Sequence, residues 1–159
     1  MADRGAASQA RALELAYRYL NRRERTVHEL RQHLAGRDLE PAAVDAAIGE
    51  LTEAGYLDDR RYARIFAQDK RALEQWGSSR IRQALIGRGI DRELIEAALA
   101  EPGQADDERE RALAVLERRF ADPPRDRGEQ QRALGVLLRR GYDPELAIDA
   151  VAAFARGET

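Results

Sequence analysis

RIRQALIGRGIDRELIEAAL, from Arg80 to Leu99, is the stretch that decides the fold. Ile81 and Leu85 stand four apart, while Leu94, Ile95, Ala98 and Leu99 share one helical face. The stretch therefore reads as two helices joined by a tight turn. Gly87 and Gly89 bracket the turn, where a positive φ is often needed, and Asp91 stands where an N-cap belongs.

The same pattern recurs on both sides. Upstream by 51 residues, Leu30, Gln32, Leu34, Gly36, Arg37, Val44 and Ile48 match Ile81, Gln83, Leu85, Gly87, Arg88, Ile95 and Leu99. Downstream by 52, Arg140, Gly141, Asp143, Glu145, Leu146 and Val151 match Arg88, Gly89, Asp91, Glu93, Leu94 and Leu99. A repeat of this length has room for a third helix in each copy. The expected fold is all-α: three tandem three-helix, helix-turn-helix-like repeats in an elongated, curved array. The expected divisions are a disordered N-terminus over 1–9, then repeats over 10–57, 58–102 and 103–156. Pro102-Gly103 marks the second junction, and the third repeat starts near Ala105.

Within the first repeat, a helix is expected from Gln9 to Arg23 with Leu13, Ala16, Tyr17 and Leu20 on its buried face. Thr26 and Glu29 form a capping box for the next helix, whose Val27, Leu30 and Leu34 face inward. Pro41 opens the third helix, where its missing N–H costs nothing, and Gly55 closes it. In GYLDD (Gly55 to Asp59), Tyr56 and Leu57 read as packing residues, and Asp58 or Asp59 as an N-cap rather than a catalytic or metal-binding pair. The second repeat opens with a helix from Asp59 to Gln75, its apolar face made by Tyr62, Ile65, Phe66 and Leu73. Trp76-Gly77 ends that helix, and Ser78 or Ser79 caps the next. In the third repeat Leu113, Leu116 and Phe120 face inward. ADPPRDRG is a loop there, and helices follow over Gln130–Arg140 and Pro144–Ala155.

Composition narrows the function. The chain has 159 residues, no cysteine and a net charge of −2, although 35% of its residues are charged. Disulfides and thiolate metal sites are thereby excluded. No run approaches the length of a membrane span, and MADRGAASQ lacks the apolar core of a signal peptide, so a cytoplasmic protein is expected. Enzymatic signals are poor. Gly87-Arg88-Gly89 lacks a preceding strand, so it is no dinucleotide fingerprint. His28 and His33 lie about 140° apart on a helix and read as exposed polar positions rather than metal ligands. Neither an enzyme nor a cofactor or metal site is expected.

The arginines say more, since 26 of the 27 basic residues are Arg and one is Lys70. Arg11, Arg18 and Arg22 fall within about 40° of one another on a helical wheel, and Arg25 continues their line. Arg60, Arg64 and Arg71 do the same on the first helix of the second repeat. The third repeat keeps Arg111 and Arg118 but sets them among Glu108, Glu110 and Glu117. Two single-sign stripes point to an anionic partner, either nucleic-acid phosphate or an acidic protein surface. The third helices carry Asp45, Glu50, Glu53, Glu93, Glu96 and Asp149, which phosphate would repel. That argues against sequence-specific duplex reading, so a transcriptional regulator is the weaker alternative, beside a helical adaptor that binds only proteins.

Thr26-Val27-His28-Glu29-Leu30, GYLDD with Tyr62-Ala63 and Phe66, and Trp76-Gly77 with Ile81, Leu85, Arg88, Gly89 and Ile90 resemble the RecX regulatory proteins. The likeness covers roughly residues 10 to 155. It implies three tandem three-helix repeats and a bacterial cytoplasmic protein. It implies binding to the RecA recombinase filament on single-stranded DNA, with restraint of filament growth, ATPase, strand exchange and co-protease activity. A monomer is expected, meeting DNA directly or through RecA. Thr26, Glu29, Leu30, Gly55, Tyr56, Leu57, Asp58, Asp59, Gly77 and Gly89 carry the likeness and read as structural. The partner contacts are expected at Arg11, Arg18, Arg22, Arg25, Arg60, Arg64 and Arg71.

Overall fold

The structure is a computed structural model that describes residues 2–102 and 108–158. Gly103 and Ala105, expected at the second junction and the start of the third repeat, lie outside the described residues. Among the described residues there are nine α-helices and no strand. Helices α1 (Ala2–Leu20), α2 (Val27–Leu34) and α3 (Pro41–Glu53) form the first repeat. The second is α4 (Asp59–Glu74), α5 (Ser78–Gly87) and α6 (Arg92–Leu99), and the third α7 (Glu108–Arg119), α8 (Arg127–Arg139) and α9 (Pro144–Ala155).

Three element expectations need correction. The N-terminus, expected as disordered over 1–9, is helical from Ala2. Ala6, Ala7 and Ala10 are strong helix formers, and Asp3 sits in the first turn, where the helix dipole favours an acid. The chain is also tied down there. Ser8 Oγ accepts from the Glu40 N–H at 3.3 Å, and Gln9 Nε2 donates to Glu50 at 3.5 Å. At its other end α1 stops at Leu20, not Arg23, because the chain must extend to reach Thr26 (φ −81, ψ 161). Helix α8 begins at Arg127 rather than Gln130, capped by Asp126, which accepts from the Glu129 N–H at 2.8 Å.

The chain forms two compact regions, Met1–Ala63 with Leu85–Leu94, and Arg64–Ala84 with Ile95–Thr159. In the first, α1 packs chiefly on α3. Ala16, Leu30, Leu34, Val44, Ile48, Leu51 and Leu57 form its core. Helix α3 ends as its sequence requires. Gly55 has φ +83, the Gly55 N–H bonds the Thr52 carbonyl at 3.1 Å, and the Tyr56 N–H bonds the Leu51 carbonyl at 2.9 Å. This is a Schellman closure. Asp58 then caps α4, accepting from the Arg61 N–H at 3.0 Å.

Thr26 is completely buried and is bonded three ways. Its Oγ accepts from the Glu29 N–H (3.1 Å), and its own N–H donates to the Glu29 carboxylate (3.2 Å). The hydroxyl proton goes to the Arg88 carbonyl at 2.7 Å. One threonine thus caps α2 and pins the α5–α6 turn. Asp59 reinforces the joint by accepting from the Val27 N–H at 3.0 Å. Arg88 Nε donates to the Tyr62 hydroxyl at 3.0 Å. Gly89 has φ +75, and a Cβ there would collide with the His28 side chain. Thr26→Ala should cost about 2 kcal/mol, combining a lost cap with an orphaned carbonyl. Thr26→Ser should cost under about 1 kcal/mol. Urea unfolding followed by helical signal measures both.

In the second region the core is Ala112, Leu113, Val115, Leu116, Ala133, Leu137, Tyr142, Ala147, Ala150, Val151, Ala153 and Phe154, with α7 against α9. A joint of the same kind recurs. The loop before α5 meets the α8–α9 turn through Gly77 N–H to the Arg140 carbonyl (2.8 Å) and Ser79 N–H to the Gly141 carbonyl (3.0 Å). The Tyr142 hydroxyl donates to the Gln75 carbonyl at 3.0 Å, and Arg140 Nη1 to the Glu74 carbonyl at 2.8 Å. Glu108 plays the part of Asp59, accepting from the Ser78 N–H at 2.6 Å and from its hydroxyl at 2.9 Å. Backbones touch so closely that a Cβ on Gly77 would strike the backbone at Gly141 and Tyr142.

The first helices bury a line that the apolar pattern announces only at Ala16 and Leu116, not at Ala12, Ala63, Ala67 or Ala112. Ala12 and Ala16 on α1, Ala63 and Ala67 on α4, and Ala112 and Leu116 on α7 are completely buried. Tyr17 and Tyr56, expected to pack inward, are instead exposed and meet edge to face at 5.3 Å. Ile65 and Leu73, expected on the buried face of α4, are also exposed, Leu73 by 80%.

Candidate functional site

The ten residues of the sequence motifs divide by position. Thr26, Glu29, Asp59 and Gly89 build the first joint, and Gly77 builds the second. Leu30 and Leu57 are core, Gly55 and Asp58 shape a helix end and a helix start, and Tyr56 is exposed. The acidic pair Asp58–Asp59 is used in capping, and burial raises the Asp59 pKa above its ordinary value despite the Val27 N–H. Among the described residues no group of His, Asp and Glu could hold a metal ion.

The seven arginines do not form two continuous stripes. Arg11 and Arg18 are exposed on α1, with Arg18 paired to Glu14 at 2.8 Å. Arg22 lies in the turn after α1, so the helical wheel no longer applies to it or to Arg25. Arg25 instead folds over the Tyr19 ring at 4.1 Å. Tyr19 stacks on His33 with ring centres 3.8 Å apart. His33, expected as a plainly exposed polar position, is half-buried, and its pKa is lowered by burial and then by Arg37, Arg25 and Arg22. The structure thus gathers Arg22, Arg25 and Arg37 round a Tyr–His stack.

On α4, Arg60 and Arg64 are exposed, but Arg71 is only 4% exposed. It donates to Ser78 Oγ at 3.0 Å and to the Leu99 carbonyl at 3.3 Å. Burial, followed by the nearby Arg111, lowers its pKa. Arg71 lies on the same line as Ala63 and Ala67, the buried face of α4, and cannot present its charge to a partner. Among the described residues, no ion pair engages Arg11, Arg60 or Arg64.

The structure adds a second basic group that the helical wheel does not show. Trp76, expected only as a helix end, carries Lys70 Nζ over its ring at 4.7 Å and the Arg80 guanidinium at 4.1 Å. Beside it a cleft of about 520 Å³ is lined by Glu74, Arg80, Arg119, Arg139 and Arg140. A signal for it exists in the repeat. Lys70 and Trp76 stand 51 residues beyond Tyr19 and Arg25, so the two repeats place a cation on a ring at the same pair of positions with the roles exchanged.

The third repeat departs from the other two on one face. Arg31 pairs with Asp45 at 2.6 Å, and Arg82 with Glu96 at 2.6 Å, each joining a second helix to a third. The corresponding residues of the third repeat are Leu134 and Ile148, which line one shallow apolar groove.

The chain matches three family models in succession: the first RecX three-helix domain over residues 12–51, the second over 58–99 and the third over 106–151. It is 40% identical over 107 residues to the regulatory protein RecX of Thermus thermophilus, covering 67% of this chain and 70% of that protein. To the regulatory protein RecX of Halorhodospira halophila it is 39% identical over 119 residues, 75% of this chain and 71% of the other. Against the RecX of Lactobacillus delbrueckii subsp. bulgaricus it is 40% identical over 94 residues, 59% of this chain but only 35% of that longer protein. In fold it is similar to the crystal structure of RecX from Lactobacillus salivarius, with a TM-score of 0.83 over 95% of this chain and 98% of that one, at 21% identity. Three consecutive domain matches, together with relatives about 40% identical over two thirds of the chain, place it in the RecX family of regulatory proteins.

Proposed function

We propose that this protein is a non-enzymatic negative regulator of the RecA recombinase, acting on the RecA filament on single-stranded DNA. The observation that carries the reading is the unbroken succession of all three RecX domains in one chain. The construction supports it, since three modules linked in one chain can each contribute a weak contact and gain from effective concentration. The exposed arginines Arg11, Arg18, Arg22, Arg60 and Arg64, with Arg25 held on Tyr19, offer cations to DNA phosphate or to acidic filament surface. Seating across adjacent recombinase subunits would oppose ATP turnover, strand exchange and co-protease activity, or block addition at a filament end. The alternatives, a duplex-specific regulator and a protein-only adaptor, have no observation of their own in the fold.

Arg60→Glu/Arg64→Glu should raise the concentration needed for half-inhibition of DNA-dependent RecA ATPase by about tenfold, the equivalent of about 1.4 kcal/mol. Helical content should be unchanged, because both side chains are solvent-exposed. Inhibition at wild-type concentrations would remove this face of α4 from the contact.

A further inference from the structure

We propose that the cleft beside Trp76 binds the phosphodiester backbone of a single nucleic-acid strand. This deepens the function proposed above by naming a contact that the arginine stripes do not include, and it rests on that reading for its biological partner.

Arg80, Arg119, Arg139 and Arg140 converge on one cleft. Their direct contacts are to rings and backbone carbonyls, with Glu74 the one carboxylate nearby. Arg80 lies on the indole at 4.1 Å and points Nη1 at the Arg139 carbonyl, 3.4 Å away. Arg140 donates to the Glu74 carbonyl at 2.8 Å. Arg119 lies 5.9 Å from the centre of the Phe120 ring. The Arg139 guanidinium folds back over Gly135, with Nη1 3.1 Å from where a Cβ would stand, so the absence of a side chain at Gly135 makes room for it. Glu74 is the one carboxylate among the lining residues, and it is already engaged: hydrogen bonding from Lys70 holds its pKa below the ordinary value.

Four guanidiniums that share one carboxylate, itself already bonded to Lys70, repel one another. A ligand that brings several anions relieves that repulsion, and one that brings a single anion does not. Arginine's planar fork matches phosphate oxygens two at a time, and the Arg80 and Arg140 heads, already held by ring and carbonyl, lose little freedom on binding. A strand delivers successive phosphates along a flexible backbone, and its sugars and bases can lie against Val136 and the indole, which also line the cleft. The cleft is open, as a strand passing through requires, and builds no enclosed socket for a side chain.

The test uses the full chain and a labelled oligothymidylate, with no recombinase present. Trp76 is the chain's only tryptophan, so its emission reports cleft occupancy directly. The expected result is quenching of Trp76 on titration, with affinity that falls steeply between about 50 mM and about 200 mM salt. Arg119→Glu/Arg139→Glu avoids Arg140, which helps to hold the joint. It should weaken strand binding at least about tenfold and flatten the salt slope by about 1.4, at about 0.7 for each phosphate that is no longer neutralised. Full helicity with unchanged affinity and slope would overturn the proposal. So would displacement of the strand by polyglutamate at a lower charge concentration than by unlabelled oligonucleotide, which would assign the cleft to an acidic protein. Because no recombinase is present, failure here leaves the ATPase reading intact. Intact strand binding with no ATPase inhibition would sink that reading and keep the site.

Discussion

Gly141→Ala is expected to lower the unfolding free energy by about 3 kcal/mol, while Gly36→Ala costs only about 1 kcal/mol. Both glycines have positive φ, +87 and +75, so both variants carry the strain of a Cβ in the left-handed region. The surroundings separate them. At Gly141 the new Cβ would stand 2.6 Å from the Arg80 backbone nitrogen and 2.9 Å from its Cα, atoms that cannot move without opening the joint at Gly77 and Ser79. At Gly36 nothing lies within 4 Å. Asp38 makes the same point from nature's side. It occupies the turn position that Gly89 and Gly141 fill in the other repeats, with φ +55, and there a non-glycine residue is present. Glycine is needed where a turn is docked against another loop, and the conformation alone tolerates aspartate. Chemical unfolding of the two variants side by side measures the difference. Equal losses would mean that the joint contributes nothing beyond local strain.

Arg71→Ala should cost about 3 kcal/mol, against less than about 0.5 kcal/mol for Arg60→Ala or Arg64→Ala. Arg71 is buried beside the Ser78–Glu108 hydrogen bonds and donates to the Leu99 carbonyl. Removing the cation leaves those acceptors short of a donor in a place that water does not reach. Arg71→Glu should be worse, because it would set a second carboxylate near Glu108. A triple reversal of Arg60, Arg64 and Arg71 would therefore lose inhibition by unfolding, whatever the contact surface. Thermal unfolding of the single variants separates the two effects. An Arg71→Ala protein as stable as the parent would contradict the buried network.

The same residue shows where sequence reading reaches its limit. Large apolar side chains set the expected face of α4, with Tyr62, Ile65, Phe66 and Leu73 together. The face actually buried, Ala63–Ala67–Arg71, lies about 140° away round the helix. Alanine is nearly neutral in an apolar count, yet its small size lets helices approach closely, and it recurs as Ala12 and Ala16 in α1 and as Ala112 in α7. A helical wheel cannot see that choice. Nor can it see past a helix end, which is why Arg22 and Arg25 leave their stripe. What depends on neighbours within a few residues is legible: the Thr26–Glu29 capping box, Pro41 and Pro144 at helix starts, Gly55 at a helix end. The long-range use of those same residues is not. Nothing in T-x-x-E-L says that the threonine proton reaches a carbonyl 62 residues away. The repeat hints at it, because the α2 and α5 starts and the two docked turns keep a common spacing.

Regulation of the filament is tested most simply by the ATPase rate of RecA on single-stranded DNA, titrated with this protein. Progressive inhibition is the expected result. If it is complete well below one molecule per recombinase subunit, the protein acts at filament ends or propagates a block. If it needs near-stoichiometric coverage, the protein occupies the filament along its length. An ATPase rate unchanged at every ratio, from a protein with full helical content, would contradict regulation of the filament by this chain.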